Sequence, residues 1–413
     1  MERTEKKYLC VRNARGLFGE PLSVLVCREG SGEAFIQKIS GEETVRLPAD
    51  TKTFDAEGGV ILPAFTDLCG FPDRQKSARA LSDETASALC GGYIRTVSCD
   101  PSPDAAVYSE RCRRAADSAR TEVLFAGEMK DGSDLSGLTQ AGARIFTDLP
   151  SARCGTRFLL SALSSLPEDA VILLSCRDPE GETGFHDGAA AKRLRLPGTS
   201  PVAEELAVQR ALTLSAVTGR KIHITGITTA RALQRVREAK YGGGNVTCDV
   251  PVYSFSFTES DLFYYGASAK LSPPLRTEAD REAVRQALAD GTADAVTTFH
   301  FPCSDREKNG LKDAVSGAVG YQTAFAAVMT GLVQPGLIPM RRAAELLSLN
   351  PAAILGYDAE LKEKGRADFV LTDPGREWVV TPGLLRGRST HTPFLGGSLT
   401  GAVLHTVRNG EWL

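Results

Sequence analysis

The sequence predicts an α/β protein, a (β/α)8 TIM-like barrel that carries a small β-sandwich domain formed by the N- and C-terminal segments. Three observations predict this fold class. β-like segments fill the first sixty residues, strands and helices then alternate as far as Gly356, and β-like segments return after it. We therefore expect residues 1–59 and 357–413 to form the composite β-sandwich domain and residues 60–356 to form the barrel.

Both ends of the chain read as short strands separated by turns. Glycines punctuate the first group of segments, and the last group follows the alternating region directly. The predicted strands are Tyr8–Val11, Leu22–Cys27, Ala34–Ile39, Ala367–Thr372, Glu377–Val380 and Gly401–Arg408. The simplest arrangement pairs the two ends in one sandwich beside the barrel.

The middle of the chain alternates between strand and helix patterns. The predicted strands are Ile94–Cys99, Val171–Ser175, Lys221–Thr225, Asn245–Val250 and Ala293–Thr298. The predicted helices cover residues 103–118, a segment that opens at Ser200, and then Thr228–Lys240, Thr277–Ala289, Gly320–Thr330 and Pro339–Leu347. Repeated βα units over this length favour a parallel barrel over an open sheet. Ser200 and Pro201 form a good cap and first-turn pair, with Glu204 near the positive end of the helix.

Composition excludes several classes of function. The chain has 413 residues, a net charge of −3 and scattered lysines and arginines, so we expect no nucleic-acid partner. The N-terminus is charged, and the apolar stretch Ala324–Met340 is short and interrupted, so we expect a cytoplasmic protein without a membrane span. Ten cysteines include no CxxC pair, which predicts reduced thiols rather than a disulfide framework.

Five short motifs occur in a specific order from about residue 60 to the C-terminus. They are Val60–Asp67 (VILPAFTD), Ser272–Arg276 (SPPLR), Leu349–Ala352 (LNPA), Ala367–Leu371 (ADFVL) and Thr392–Gly396 (TPFLG). Together they resemble the dihydroorotase branch of the amidohydrolase superfamily. The resemblance implies a barrel with a β-sandwich made from both termini. It also implies hydrolysis of a cyclic amide, in which metal ions activate a water and a carboxylate moves the proton.

The first barrel strand lacks the pair of histidines that the resemblance leads us to expect. The family pattern is Asp-x-His-x-His, and residues two apart on a strand point to the same face. This chain reads Asp67-Leu68-Cys69-Gly70-Phe71. Cys69 is a ligand only for a soft metal, and Phe71 has no donor atom.

The same loss recurs at the other positions that the resemblance marks as functional. Leu149 follows Phe146-Thr147-Asp148 where a bridging aspartate is expected, and Ser175 precedes Cys176 and Arg177 where a His-Cys-Glu-Asp histidine is expected. The remaining replacements are Gly226 at a ligand position, in the run that begins at His223, and Phe299 at the general base. We therefore expect neither a metal site nor a catalytic residue.

Remnants of a substrate pocket are expected at Arg74, Asp100, Ser272, His300 and Cys303. The family's substrate arginine aligns with Asp73, so an anionic substrate is expected to meet Asp73 and Asp100 where it needs Arg and Asn. Phe71, Phe299 and Phe301 indicate a pocket filled with hydrocarbon. For the histidines at 223 and 300 we prefer a hydrogen-bonded structural role.

These observations leave three hypotheses. The leading one is a non-catalytic dihydroorotase homologue without a cofactor, a structural or regulatory partner of aspartate transcarbamoylase or of an active dihydroorotase, and itself a homo-oligomer. The resemblance implies the first partner, because metal-free chains of this family accompany that enzyme. The second is an active cyclic amidohydrolase whose zinc is held by converging cysteines, namely Cys69, Cys99, Cys176 and Cys303. The third is a protein that binds a small molecule in the residual pocket.

Overall fold

The computed structural model describes residues 6–30, 32–41, 47–149, 154–177 and 182–412. Positions 1–5 and 42–46, which the predicted N-terminal segment includes, lie outside the described residues. The strands of the described part are β1 (Lys6–Arg15), β2 (Pro21–Glu29), β3 (Ala34–Ser40), β4 (Lys52–Asp55), β5 (Val60–Pro63), β6 (Phe65–Gly70), β7 (Tyr93–Ser102), β8 (Glu122–Glu128), β9 (Ile145–Thr147), β10 (Val171–Ser175), β11 (Ile222–Thr225), β12 (Val246–Pro251), β13 (Ala295–Thr297), β14 (Phe369–Val379), β15 (Ser398–Arg408) and β16 (Glu411–Trp412).

The helices alternate with the middle strands. They are α1 (Ala78–Cys90), α2 (Ala105–Ser118), α3 (Leu135–Gln140), α4 (Thr156–Ser165), α5 (Ala189–Leu194), α6 (Pro201–Thr218), α7 (Ala230–Tyr241), α8 (Leu262–Tyr265), α9 (Glu278–Asp290), α10 (Tyr321–Val328), α11 (Met340–Ala344) and α12 (Asn350–Ile354). Short 3-10 turns flank α8, and π-helical turns extend α10 and join α11 to α12. Within the described ranges, no helix is both long and apolar enough to cross a bilayer.

The eight strands β6 to β13 form one parallel sheet in sequence order. A bridge between Gly70 and His300 joins its last edge to its first, and the backbone N–H of Phe71 donates to the His300 carbonyl at 2.8 Å. This closure makes a barrel, because a sheet whose edges meet leaves no unpaired edge strand. The predicted (β/α)8 architecture is confirmed.

The two ends of the chain share a second sheet, in the order β16-β15-β14-β5-β1-β2-β3, with β4 beside β1. The sheet curls so that the Ala367 N–H donates to the Ala34 carbonyl at 3.1 Å, and its inner face encloses a separate apolar core that includes Ile36 and Phe369. The two ends of the chain therefore form one curled sheet around a single apolar core, in the place where the sandwich is predicted. Strand β5 pairs with β14 in this sheet, so the barrel begins at β6.

Helix α6 begins where the sequence predicts, and its residue Glu204 also binds the N-terminus of helix α7. The Ser200 hydroxyl accepts from the Val202 N–H at 3.3 Å. The buried Glu204 carboxylate accepts from the backbone N–H groups of Thr228 and Thr229 at 2.8 and 2.7 Å, at the start of α7. It also pairs with the buried Arg276 at 3.1 Å, so the arginine of the SPPLR motif holds two helices together rather than facing the barrel mouth.

Candidate functional site

The candidate site is a pocket of about 510 Å³ at the carboxyl ends of the barrel strands, the end at which such barrels carry their sites. Six residues singled out in the sequence line it, and the others come from loops that follow the strands. The lining consists of Phe71, Arg74, Lys76, Asp100, Arg177, Glu182, Ser272, Phe299, Phe301, Val315, Ser316 and Gly317.

Aromatic rings occupy the space around two of the expected metal-ligand positions. Phe71 and Phe299 are each 5% exposed and line the pocket. Gly226 has φ of +85°, and a Cβ added there would lie 2.7 Å from Cζ of Phe299. A side chain at position 226 therefore cannot extend into the pocket while the Phe299 ring stays in place. Phe71 packs edge-on against Phe301, with ring centroids 5.1 Å apart.

The remaining expected ligand positions are buried in the barrel wall. Leu149 is 1% exposed. The N–H of Ser175 donates to Oδ1 of Asp148 at 2.7 Å, and the Ser175 hydroxyl accepts from the Arg177 N–H at 3.1 Å. Burial raises the pKa of the Asp148 carboxyl to about 6. Both Asp148 and Ser175 are thus engaged by neighbouring strands rather than by the pocket.

Of the four cysteines near the strand ends, Cys69 and Cys99 lie side by side, but Cys176 and Cys303 do not complete a metal-binding group with them in the described part of the chain. Burial raises the pKa of the Cys69 thiol well above its usual value, and the adjacent Cys99 thiol raises it further. The Cys176 thiol instead donates to the carbonyls of Thr225 and Gly226, at 3.2 and 3.0 Å. Across the described ranges, no group of three or more His, Cys, Asp or Glu side chains is placed to hold a metal ion.

Beneath the pocket, the buried polar groups bond to one another. The Asp249 carboxylate contacts Nε2 of His223 at 2.9 Å and accepts from the Gly226 N–H at 2.8 Å. The Asp67 carboxylate accepts from the N–H and the hydroxyl of Thr298, at 2.9 and 2.6 Å. Burial raises the pKa of Asp67 to about 7, because the barrel interior disfavours its charged form. His223 is thus a hydrogen-bonded residue of the barrel interior.

His300 and Cys303 lie outside the pocket lining. The Gly320 N–H donates to Nδ1 of His300 at 3.3 Å, which leaves the proton on Nε2 to be donated to the Glu84 carboxylate at 2.9 Å. His300 is fully buried and stacks on Tyr321, with centroids 3.9 Å apart. Cys303 is also buried, and its thiol faces the Phe301 carbonyl at 3.7 Å.

The expectation that Asp73 faces an incoming anion is wrong. Asp73 is fully buried and accepts from Nε of Arg111 at 2.8 Å and from Arg114 at 2.7 Å. The two guanidinium groups neutralise its charge within the barrel wall. Asp100 does line the pocket, and its carboxylate lies 3.7 Å from Arg111.

Two arginines carry positive charge to the pocket. Arg74 donates to the Glu307 carboxylate and, at 3.2 Å, to the Pro302 carbonyl, while its guanidinium lies 4.5 Å from the centroid of the Phe301 ring. The hydrogen bond from Arg74 is the main cause that lowers the pKa of Glu307 to about 2. Arg177 donates to the Ser272 carbonyl at 2.9 Å.

Arg177 and Glu182 are functional candidates that the sequence analysis did not identify. The Glu182 carboxylate accepts from the Ser272 hydroxyl and lies 3.6 Å from Nε of Arg177. The sequence did mark Arg177, because an arginine replaces the glutamate of the family's His-Cys-Glu-Asp motif at this position. No comparable signal marked Glu182, which reaches a partner 90 positions away.

Relatives of known identity match almost the whole chain. The dihydroorotase of Clostridium acetobutylicum is 31% identical over an alignment 420 positions long, which covers 95% of this chain and 97% of the relative. The dihydroorotase of Anaeromyxobacter dehalogenans is 32% identical over 393 residues, with 89% of each chain covered. No protein-family model matches the chain.

Solved structures show the same fold. The L-hydantoinase (dihydropyrimidinase) of Arthrobacter aurescens superposes with a TM-score of 0.83 at 21% identity, over 98% of this chain and 95% of its own. The dihydropyrimidinase of Brevibacillus agri gives 0.79 at 18% identity, over 99% of this chain and 95% of its own. Because dihydroorotases are at least 30% identical to it over almost its whole length, the chain belongs to the dihydroorotase family.

Proposed function

We propose that the chain is a non-catalytic dihydroorotase homologue that acts in pyrimidine biosynthesis as a structural or regulatory protein. The observation that carries the proposal is the Phe299 ring beside Gly226, with 2.7 Å between its Cζ and the position of a Cβ. The ring fills space that a ligand side chain at position 226 would need. It also stands at the strand end where the family resemblance implies a carboxylate base.

The donor set at the barrel mouth does not fit a two-metal centre. Phe71 and Leu149 offer no donor atom, Gly226 offers no side chain, and the Ser175 hydroxyl is engaged in the barrel wall. Cys69 is the one strong donor among these positions, and burial disfavours its thiolate. These positions therefore do not support hydrolysis by a metal-bound water.

Turnover of L-dihydroorotate tests this proposal. The purified 413-residue chain is assayed with and without added Zn²⁺, beside the dihydroorotase of Clostridium acetobutylicum as a positive control. We expect hydrolysis no faster than in a protein-free blank under both conditions. Hydrolysis at a rate within reach of the control would overturn the proposal and favour the alternative, an active cyclic amidohydrolase with a rearranged zinc site.

The proposed partner is aspartate transcarbamoylase or an active dihydroorotase of the same organism, with self-association of the chain as a further property. The family resemblance supports this part of the proposal. Each candidate is co-expressed with the tagged chain, and the complex is measured by light scattering after affinity purification. A complex of defined stoichiometry is expected, whereas separate elution of all components at micromolar concentration would contradict the partnership.

A second candidate function, the binding of a small molecule, is favoured by the pocket itself. Its volume of about 510 Å³ lies in the range of ligand sites, and two guanidinium groups line it. Thermal unfolding with and without millimolar L-dihydroorotate tests this candidate. A rise in the unfolding temperature is expected, and an unchanged temperature over the whole titration would count against it.

A further inference from the structure

We propose that the pocket is a carboxylate-binding site occupied at rest by the chain's own Glu182, which a small organic carboxylate displaces. The inference rests on the second candidate function, small-molecule binding, and deepens it by naming the ligand class and the residue that regulates access. Three features carry it, namely an arginine with an unused donor, an internal carboxylate beside that arginine, and aromatic walls around both.

Arg177 has a donor that no group in the described part of the chain uses. Its side chain is 11% exposed and lines the pocket, and one terminal nitrogen donates to the Ser272 carbonyl at 2.9 Å. Its Nε lies 3.6 Å from Glu182, beyond hydrogen-bond distance, and has no other acceptor among the described residues. A buried N–H of a charged group without an acceptor is costly, so this donor favours an additional anionic acceptor.

Glu182 stands where such an acceptor would stand. Its side chain is only 6% exposed, accepts from the Ser272 hydroxyl and faces Arg177. An external carboxylate would find the same hydroxyl and the same guanidinium as donors. Glu182 therefore competes with a ligand for Arg177, and the distance of 3.6 Å shows that it satisfies Arg177 only in part.

The remainder of the pocket suits the body of a flat carboxylate. Phe71, Phe299 and Phe301 supply apolar wall, and the Arg177 guanidinium lies 6.0 Å from the centroid of the Phe299 ring. With Glu182 displaced, the pocket lining holds three cations, Arg74, Lys76 and Arg177, and one carboxylate, that of Asp100. Arg74 is also paired with Glu307 outside the lining, so Lys76 and Arg177 supply the uncompensated positive charge. An anion with an unsaturated ring satisfies both the charge and the apolar surface.

The test uses benzoate and its neutral isostere benzamide as probes, with binding to the full-length chain measured by calorimetry at neutral pH. Glu182→Gln keeps the size of the side chain and removes its charge. We expect this variant to bind benzoate about tenfold more tightly than the wild type, because a like charge leaves a partly buried site. Arg177→Gln, introduced into the Glu182→Gln variant, is expected to weaken benzoate binding by about tenfold or more. Benzamide binding should not respond to either change.

Two matched controls separate self-occupancy from general electrostatics. Asp100→Asn removes a pocket carboxylate that does not contact Ser272, and Lys76→Gln removes a pocket cation that does not contact Glu182. We expect Asp100→Asn to strengthen benzoate binding less than Glu182→Gln does. We expect Lys76→Gln to weaken benzoate binding less than Arg177→Gln does. An equal gain in Asp100→Asn, or no gain in Glu182→Gln, would overturn the inference, as would unchanged binding after loss of Arg177.

The outcomes also distinguish this inference from the proposed function. Thermal unfolding confirms that each variant is folded, and Arg177→Lys replaces Arg177→Gln if the latter is not, with weaker benzoate binding again expected. If the chain binds L-dihydroorotate with the same affinity in the wild type and in Glu182→Gln, the inference is wrong, but the proposal of small-molecule binding is supported. Turnover of L-dihydroorotate would instead overturn the non-catalytic proposal, whatever Glu182 does.

Discussion

Replacing Gly226 by alanine tests whether the Phe299 ring blocks the position at which the family resemblance places a metal ligand. The change adds one methyl group where φ is +85° and where the nearest atom, Cζ of Phe299, lies 2.7 Å away. Two costs are expected. Left-handed backbone geometry costs a residue with a Cβ about 1–2 kcal/mol, and forcing a methyl group into packed surroundings costs about 1–3 kcal/mol.

Gly219→Ala is a matched control that isolates the backbone cost. Gly219 follows α6 with φ of +69°, and a Cβ there would meet nothing within 4 Å. The free energy of unfolding, measured by urea denaturation, should fall by about 1–3 kcal/mol more in Gly226→Ala than in Gly219→Ala. A double-mutant cycle with Phe299→Ala should remove this excess, because the blocking ring is then absent.

Equal losses in Gly226→Ala and Gly219→Ala would refute this reasoning, since they would show that the ring yields freely. Additive losses in the cycle with Phe299→Ala would refute it in a second way. Either result would mean that the Phe299 ring does not prevent a side chain from occupying position 226.

The remaining predictions concern two buried carboxylates, with an exposed one as the control. Glu84→Gln should lower the free energy of unfolding by about 1–3 kcal/mol, because its amide would face the donors of His300 and Arg388. Asp358→Asn, at an exposed contact with Lys362, should leave the free energy of unfolding almost unchanged, because water screens the pair, and urea denaturation of both variants checks the contrast. The pKa of Asp67 is raised from 3.8 to about 7, so its contribution to stability is fully present below pH 4 and is lost as the pH rises through 7. Relative to Asp67→Asn, the wild type should therefore lose about 4 kcal/mol between pH 4 and pH 8 in unfolding measurements, and parallel pH profiles of the two proteins would contradict the raised pKa.

The sequence predicted the fold well where local chemistry marks an element. Strand β10 has the predicted bounds, and α6 begins at its Ser200-Pro201 signal. Short elements without such signals, such as β9 with three residues, were not predicted. The single curled sheet could not be read from local pattern either, because β14 joins the two chain ends through pairing with β5, more than 300 positions away.

The candidate site, like the fold, was predicted only in part. Residue identity at the strand ends predicted part of the pocket lining, namely the aromatic rings, Arg74, Asp100 and Ser272, but it did not identify Arg177 or Glu182. Orientation was not predictable, because it depends on partners from distant segments. Asp73 turns into the wall because Arg111 and Arg114 from α2 neutralise it, and His300 turns away because Glu84 from α1 accepts a hydrogen bond from its Nε2.

We propose that the barrel mouth of this dihydroorotase homologue lacks the donors for a metal centre. The most direct test is the zinc content of the full-length chain, measured by mass spectrometry after incubation with excess Zn²⁺ and removal of unbound ions. The dihydroorotase of Clostridium acetobutylicum, treated in parallel, serves as the reference. We predict no stoichiometric zinc in this chain. One or two zinc ions per chain, lost when Cys69 is replaced by serine, would contradict the claim.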